Sequence, residues 1–188
     1  MKRTALFGAV LAAMVPSALL ADMNYTKFEV SMIDVEVDQG VDVDGDGFAL
    51  GGSYELNDQI HLFGEWQDQS LDFGIDGRSL EIGGGWSHEI SDSLDFVGTL
   101  SYVDAELKAG NVTADDDGLA LGGGIRTLIG ESFQVDAGLK YVDFDESGSD
   151  TGFSLGGRYY FNDSMAVGAS ADFNDNADTL RVGFRWEF

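Results

Sequence analysis

The sequence predicts an all-β protein: a closed antiparallel transmembrane β-barrel, with ten strands favoured and eight as the alternative. Three observations lead to this prediction. Apolar and polar residues alternate with a period of two in successive segments, which places them on opposite faces of strands. Short polar turns join these segments in pairs. Aromatic residues cluster at both ends of the apolar faces, as they do at the two interfaces of a bilayer.

The clearest strand is the closing segment, residues 180–188. One phase of its two-residue period is wholly apolar and ends in aromatics, whereas the other carries three charged side chains. Such a strand needs an apolar environment on one side only. The apolar phase consists of Leu180, Val182, Phe184, Trp186 and Phe188.

From residue 47 onward, one hairpin pattern recurs four times. Each hairpin has a strand with a run of glycines, a tight turn and a second strand that leads to an acidic segment. The turns, at 57–59, 91–93, 130–132 and 162–164, contain residues that tolerate tight backbone geometry. Four hairpins, the segment 26–37 and the closing strand make ten strands. We expect short turns on one side of the barrel and long acidic loops on the other.

The first strand changes phase halfway along. Its apolar residues occupy even positions up to Met32 and odd positions from Ile33 to Val37. A β-bulge near Met32 would reconcile the two phases. Alternatively, the strand ends early and a loop begins at Asp34.

Residues 1–21 have the pattern of a cleaved signal peptide, and residues 22–188 are expected to form the barrel. A positive start at Lys2 and Arg3 precedes an apolar run and small residues before Asp22. That run is too short for a membrane helix of about 20 residues. The formal net charge is −24, and cleavage would make it two units more negative. Such a chain repels nucleic acid, and it repels an anionic lipid surface unless divalent ions intervene.

The aromatic positions distinguish a membrane barrel from a soluble one. A soluble barrel would turn its apolar phase inward and would not need aromatics at both rims, so we predict that this phase faces lipid. Near the short turns are Tyr54, Trp86, Phe96, Phe133, Tyr159, Phe161, Trp186 and Phe188, and near the other side are Trp66, Tyr102, Tyr141 and Phe173.

The inward phase then carries charges of both signs, and charges removed from bulk water need partners. We predict a salt-bridged lumen. A narrow polar pore is the alternative, although wide channels need roughly 16 strands. The predicted network consists of Glu55, Glu65, Glu81, Asp95, Arg126, Asp136, Lys140, Arg158, Arg181 and Arg185.

Asp42, Asp44 and Asp46, followed by Gly47, match the first half of an EF-hand calcium loop. The twelfth position is Ser53 instead of Glu, so the bidentate ligand is missing and a solvated acidic turn is the alternative. Calcium is the one cofactor considered. Further acidic clusters at 115–117 and 143–146 either bridge to lipopolysaccharide through divalent cations or keep the loops hydrated.

No catalytic site is predicted, and the chain is not expected to be an enzyme. The two histidines, His61 and His88, both lie near the short turns, and neither is placed to activate a serine nucleophile. The absence of cysteine from the sequence excludes disulfides and thiolate metal sites.

The Gly-Gly strands, the Asn-Asp-Ser turns and the Phe-Arg-Trp-Glu-Phe ending resemble those of small bacterial outer-membrane β-barrel proteins, the class of OmpA's membrane domain and outer membrane protein X. The resemblance covers the mature chain, although those two examples have eight strands. It implies the bacterial outer membrane as location, its lipid and lipopolysaccharide as partners, and insertion by the barrel assembly machinery, with Trp186 and Phe188 in the recognition signal.

The expected function is a structural or surface-interaction role through acidic extracellular loops. A narrow pore for small solutes or cations is the alternative, and a barrel enzyme ranks third. The sequence leaves the oligomeric state open.

Overall fold

The computed structural model describes residues 25–38, 42–91, 93–130, 132–174 and 177–188; the predicted signal peptide, residues 1–21, lies outside them. Ten antiparallel strands close into a barrel, which confirms the predicted fold class and the favoured strand number. The strands are β1 (Lys27–Asp38), β2 (Asp42–Asn57), β3 (Ile60–Leu71), β4 (Ile75–Ser91), β5 (Leu94–Ala109), β6 (Val112–Ile129), β7 (Phe133–Phe144), β8 (Gly148–Asn162), β9 (Met165–Asn174) and β10 (Asp178–Glu187).

Each strand pairs with its neighbours in the chain, and β1 pairs with β10 to close the barrel. The backbone N–H of Phe188 donates to the carbonyl of Thr26 at 3.0 Å. The start of β1 and the end of β10 therefore lie at one end, together with the four tight turns. We call this the proximal end, and the opposite one the distal end. Within the described ranges, no helix is long and apolar enough to cross a membrane.

The expectation of long distal loops is wrong, because most of those residues lie in strands. β6 has 18 residues and β4 has 17, whereas a strand crosses a bilayer in about 9–11. Residues 42–47 belong to β2, and only Gly110 and Asn111 separate β5 from β6. Asp and Gly disfavour strands, but apolar residues of these extensions pack inside the barrel and hold them in the sheet.

The expected bulge in β1 is also wrong. β1 pairs with both β2 and β10 without a register shift. Met32 is 76% exposed on the outer face, while the next residue, Ile33, is buried in the lumen. The change of phase in the sequence therefore marks a change of surroundings along a regular strand.

On the outer face, a continuous band of apolar side chains covers the part of the barrel that is nearer the proximal end. Its side chains are exposed, as the lipid-facing prediction requires, with Leu121 at 62% and Leu100 at 61%. Aromatic side chains border the band at both edges. Those exposed include Tyr54, Trp86, Phe96, Phe133, Tyr159, Phe161, Trp186 and Phe188 proximally, and Tyr102, Tyr141 and Phe173 on the distal side.

Candidate functional site: the lumen and an acidic collar

An ionic lattice fills the lumen at the level of the apolar band. Three of its contacts join strands that are three places apart around the barrel, so they cross the interior. Lys140 Nζ lies 2.6 Å from Glu81 Oε2, Arg181 Nη1 lies 2.9 Å from Glu65 Oε1, and Arg158 Nη2 lies 3.4 Å from Glu29 Oε1. These contacts connect non-adjacent strands across the interior and occupy the space between them.

Glu29 links two arginines of the lattice. Arg185 donates to Glu29 Oε2 from Nη2 at 2.8 Å and from Nε at 2.9 Å. Arg158 contacts Glu29 and also donates to Asp136 at 2.7 Å. Glu29 was not predicted from the sequence, because the phase change in β1 obscured which of its residues face inward.

Asp172 is a second lattice member that was not predicted from the sequence. Its Oδ2 lies 3.2 Å from Nε of Arg181, so Arg181 lies between two carboxylates, those of Asp172 and Glu65. Asp172 lies on the inward phase of β9, and that phase was the signal that could have identified it as a lumen residue.

Inward glycines provide the room that the lattice needs. A Cβ on Gly156 would lie 2.5 Å from Oδ2 of Asp136, and a Cβ on Gly168 would lie 2.5 Å from Cγ of Arg158. Both distances are well inside van der Waals contact. These glycines allow neighbouring charged side chains to lie against the wall.

The predicted lumen residues do not all join ion pairs. Glu55 accepts a hydrogen bond from the backbone N–H of Tyr25 at 3.2 Å. Asp95 and Arg126 are buried, and none of their side-chain polar atoms has a hydrogen-bond partner among the described residues. The lattice thus contains Glu65, Glu81, Asp136, Lys140, Arg158, Arg181 and Arg185, together with Glu29 and Asp172.

The two histidines lie on opposite faces of the wall. His61 points inward and stacks on Tyr25, with ring centroids 4.3 Å apart. His88 faces outward and stacks on Trp86 at 5.6 Å. They do not form one site.

An apolar seal fills the lumen beyond the lattice, at the distal end. It consists of two clusters, and Val43 packs against both, so the apolar contacts extend from one side of the lumen to the other. Val35 and Val103 are both 0% exposed. The first cluster contains Leu71, Val103, Ala105, Leu107, Ala120, Val142 and Phe144, and the second contains Ile33, Val35, Val37, Ala49 and Ala177.

The outer face around the seal carries an acidic collar. Several of its carboxylates are directly opposed across neighbouring strands, including Asp34 with Asp46 and Asp104 with Asp117. Like charges in this position repel one another. The collar comprises Asp34, Glu36, Asp44, Asp46, Asp68, Asp76, Asp104, Glu106, Asp115, Asp117, Asp143 and Asp178.

One cation of the distal outer face is Arg78, whose Nε lies 2.7 Å from Oδ2 of Asp68. The hydrogen bond to Asp68 raises the pKa of Arg78. This pair offsets the negative charge over β3 and β4, whereas the opposed acids on β1 and β2 include no such cation in their register.

The proposed calcium residues lie in β2. Asp44 and Asp46 are exposed, and Asp42 is paired through its backbone with Asp38. In an extended strand alternate residues are about 7 Å apart, so the carboxylates of Asp44 and Asp46 do not converge as they do in an EF-hand loop. Among the described residues, no group of three or more His, Cys, Asp or Glu is arranged to hold a metal ion. Calcium binding stays a prediction.

The predicted assembly signal lies on the lipid-facing surface at the proximal end. Trp186 and Phe188 are 46% and 58% exposed, and their ring centroids are 4.7 Å apart. Recognition by the assembly machinery stays a prediction.

Comparison with known proteins supports the fold. No protein-family model matches the chain, and no curated protein matches it. The translocator domain of autotransporter NalP from Neisseria meningitidis aligns with a TM-score of 0.53 and 10% identity, covering 97% of this chain and 94% of that one. An outer membrane channel from Pseudomonas putida F1 aligns with a TM-score of 0.50 and 12% identity, covering 94% and 100%. The chain therefore has the fold of outer-membrane β-barrels.

Proposed function

We propose that this chain is a closed outer-membrane β-barrel with a structural and surface-interaction role. Its proximal end faces the periplasm and its distal end faces the exterior. The apolar band, the aromatic borders and the tight turns at the proximal end support this orientation, because bacterial barrels have short periplasmic turns. The acidic collar then lies outside the cell, and cations bridge it to the phosphate groups of lipopolysaccharide.

The position of the collar carries this proposal. Its carboxylates begin directly beyond the apolar band, at the level of lipid head groups. Opposed acids such as Asp34 and Asp46 repel one another, and a divalent cation between carboxylate and phosphate oxygens replaces that repulsion with attraction. Ca²⁺ and Mg²⁺ both prefer oxygen ligands of this kind.

The buried lumen favours this role over that of a pore. Side chains that line an aqueous channel are exposed to water, whereas Arg185 is 1% exposed and Val35 is 0% exposed. A barrel of ten strands also encloses little space once long side chains fill it. The lattice and the seal therefore close the lumen at two levels.

The collar is tested by unfolding the barrel with urea in vesicles with and without lipopolysaccharide. Calcium should raise the urea midpoint in the lipopolysaccharide vesicles, and a chelator should reverse the rise. The double variant Asp34→Asn/Asp46→Asn should reduce the rise, whereas Asp58→Asn/Asp163→Asn, at the proximal turns, should not. An equal effect of calcium in both kinds of vesicle would overturn the lipopolysaccharide contact.

Conductance measurements in planar bilayers test separately whether the lumen is closed to ions. The pure folded barrel should give no steady single-channel steps. Such steps would show a continuous aqueous path and would favour the narrow-pore function instead.

A further inference from the structure

Three buried side chains near the proximal end of the lumen form a group that we call the proximal polar site. Arg126 is 1% exposed, and none of its guanidinium nitrogens has a hydrogen-bond partner among the described residues. The same holds for both carboxylate oxygens of Asp95, which is 2% exposed, and for both ring nitrogens of His61, which is 0% exposed.

Arg126 is the member of this group that interacts with the other two. Asp95 and Arg126 are directly opposed on β5 and β6 and both point inward. The charge of Arg126 acts on both Asp95 and His61. The His61 ring occupies the space that the inward Gly85 leaves open and stacks on Tyr25, with an interplanar angle of 8°.

Buried charged groups without partners would lower the stability of the folded barrel. An unpaired ion in the interior costs several kcal/mol, and two such ions approach the net stability of a typical domain. The other arginines of the lumen, Arg158, Arg181 and Arg185, each contact at least one carboxylate. Arg126 and Asp95 are opposed but form no ion pair with each other.

We propose that the proximal polar site binds a small zwitterion of the amino-acid type. The guanidinium of Arg126 donates to the carboxylate of the guest, and the ammonium of the guest donates to Asp95. His61, with one donor and one acceptor nitrogen when neutral, serves either end. A zwitterion matches both unpaired ions, whereas an anion would be repelled by Asp95 and a cation by Arg126.

The guest enters from the proximal end. His61 and Asp95 are the second residues of β3 and β5, so they lie within about 7 Å of the proximal rim. The apolar seal blocks the other direction. This inference concerns the end of the lumen opposite to the acidic collar and does not depend on the function proposed for the collar.

The test is calorimetric titration of the barrel, refolded in detergent micelles, with glycine, acetate and methylammonium. Glycine should bind saturably with a Kd of about 1 mM or tighter, and each half-molecule should bind at least about tenfold more weakly. No saturable heat with glycine, or acetate binding as tightly as glycine, would overturn the proposal. This comparison uses the unmodified chain and so does not depend on any variant folding.

Substitutions then test which residues bind glycine. Arg126→Gln and Asp95→Asn should each weaken glycine binding at least about tenfold. Arg78→Gln and Asp68→Asn, which remove an exposed ion pair from the distal outer face, should leave it unchanged. A high-resolution structure with glycine present in which Arg126 and Asp95 bond only to each other would also overturn the proposal.

Discussion

The ionic lattice and the apolar seal occupy the same lumen and are built by the same strands, yet their chemistry is opposite. At the level of the lattice, the wall is apolar outside and charged inside. At the level of the seal, it is acidic outside and apolar inside, as in a water-soluble barrel. β1 passes from one arrangement to the other between Met32 and Ile33 without a bulge.

The contrast shows that alternation alone does not say which face of a strand is inside. The medium around the wall at each level, lipid or water, decides which face of the strand is inside. Where lipid surrounds the wall, polar groups must pair inside the barrel. Where water surrounds it, the apolar groups collect inside instead. A substitution that lowers stability at one level should therefore have little effect at the other. Four substitutions test the energetics of the two levels.

The largest effect is expected from Arg181→Met in the lattice. The change leaves Glu65 and Asp172 buried without their cation, and it should lower the free energy of unfolding by about 3–5 kcal/mol. Urea unfolding in vesicles measures it. The triple variant Arg181→Met/Glu65→Leu/Asp172→Leu should recover most of the loss, because no unpaired charge is left. A loss below about 1 kcal/mol for the single variant would mean that water reaches the lattice.

Leu121→Arg should cost about 2–4 kcal/mol, because it places a charge in the lipid-facing band. The matched control is Asp115→Arg, on the same face of the same strand but within the collar. Surface substitutions of that kind usually change stability by less than about 0.5 kcal/mol. Equal losses in the two variants would show that the collar is not surrounded by water.

Gly156→Ala should cost about 1–3 kcal/mol, because the added methyl group displaces Asp136 from Arg158. Gly157→Ala is its control. It adds the same methyl group to the outer face, where the nearest atom, Cζ of Phe133, is 3.4 Å away. The same urea measurement compares the two, and a larger loss at Gly157 would contradict a tightly filled lumen.

The smallest effect is expected in the collar. With divalent ions chelated, Asp46→Asn should stabilise the barrel by about 0.2–1 kcal/mol, because it relieves repulsion from Asp34. The gain should shrink at 1 M salt, where the screening length is about 3 Å. In calcium and lipopolysaccharide the same variant should instead lose stability. A loss in the chelated, low-salt sample would show that the two carboxylates do not repel each other.

The sequence predicted the barrel well because its signals are local and repeated. The alternation from Leu180 to Phe188, the glycine runs and the tight turns can each be recognised from a few neighbouring residues. Once lipid was assigned to the apolar phase, the ten residues named for the lumen were assigned to the inward face, where the structure places them, whereas Glu29 and Asp172 were not named. Their partners depend on positions far apart in the chain, so the pairing of Glu81 with Lys140 was not predictable.

The prediction of loops for the distal half was wrong for a physical reason. Acidic residues and glycines are typical of loops, so the segments around Asp44 and Asp117 were interpreted as loops. A signal was present: after the distal aromatic residue of several strands, the apolar residues move to the other phase, as Val103 does after Tyr102 and Val142 after Tyr141. This shift indicates the apolar seal, because the residues that change phase are the ones that pack inside the distal end.

The pairing of β1 with β10 constrains when the protein can fold. The wall closes through contacts between residues far apart in the chain, such as Phe28 and Trp186. Until the last strand has been synthesised, both β1 and β9 present unpaired backbone edges, which attract other strands and promote aggregation. Closure of the wall therefore has to follow synthesis of β10, and the earlier strands need protection from association until then.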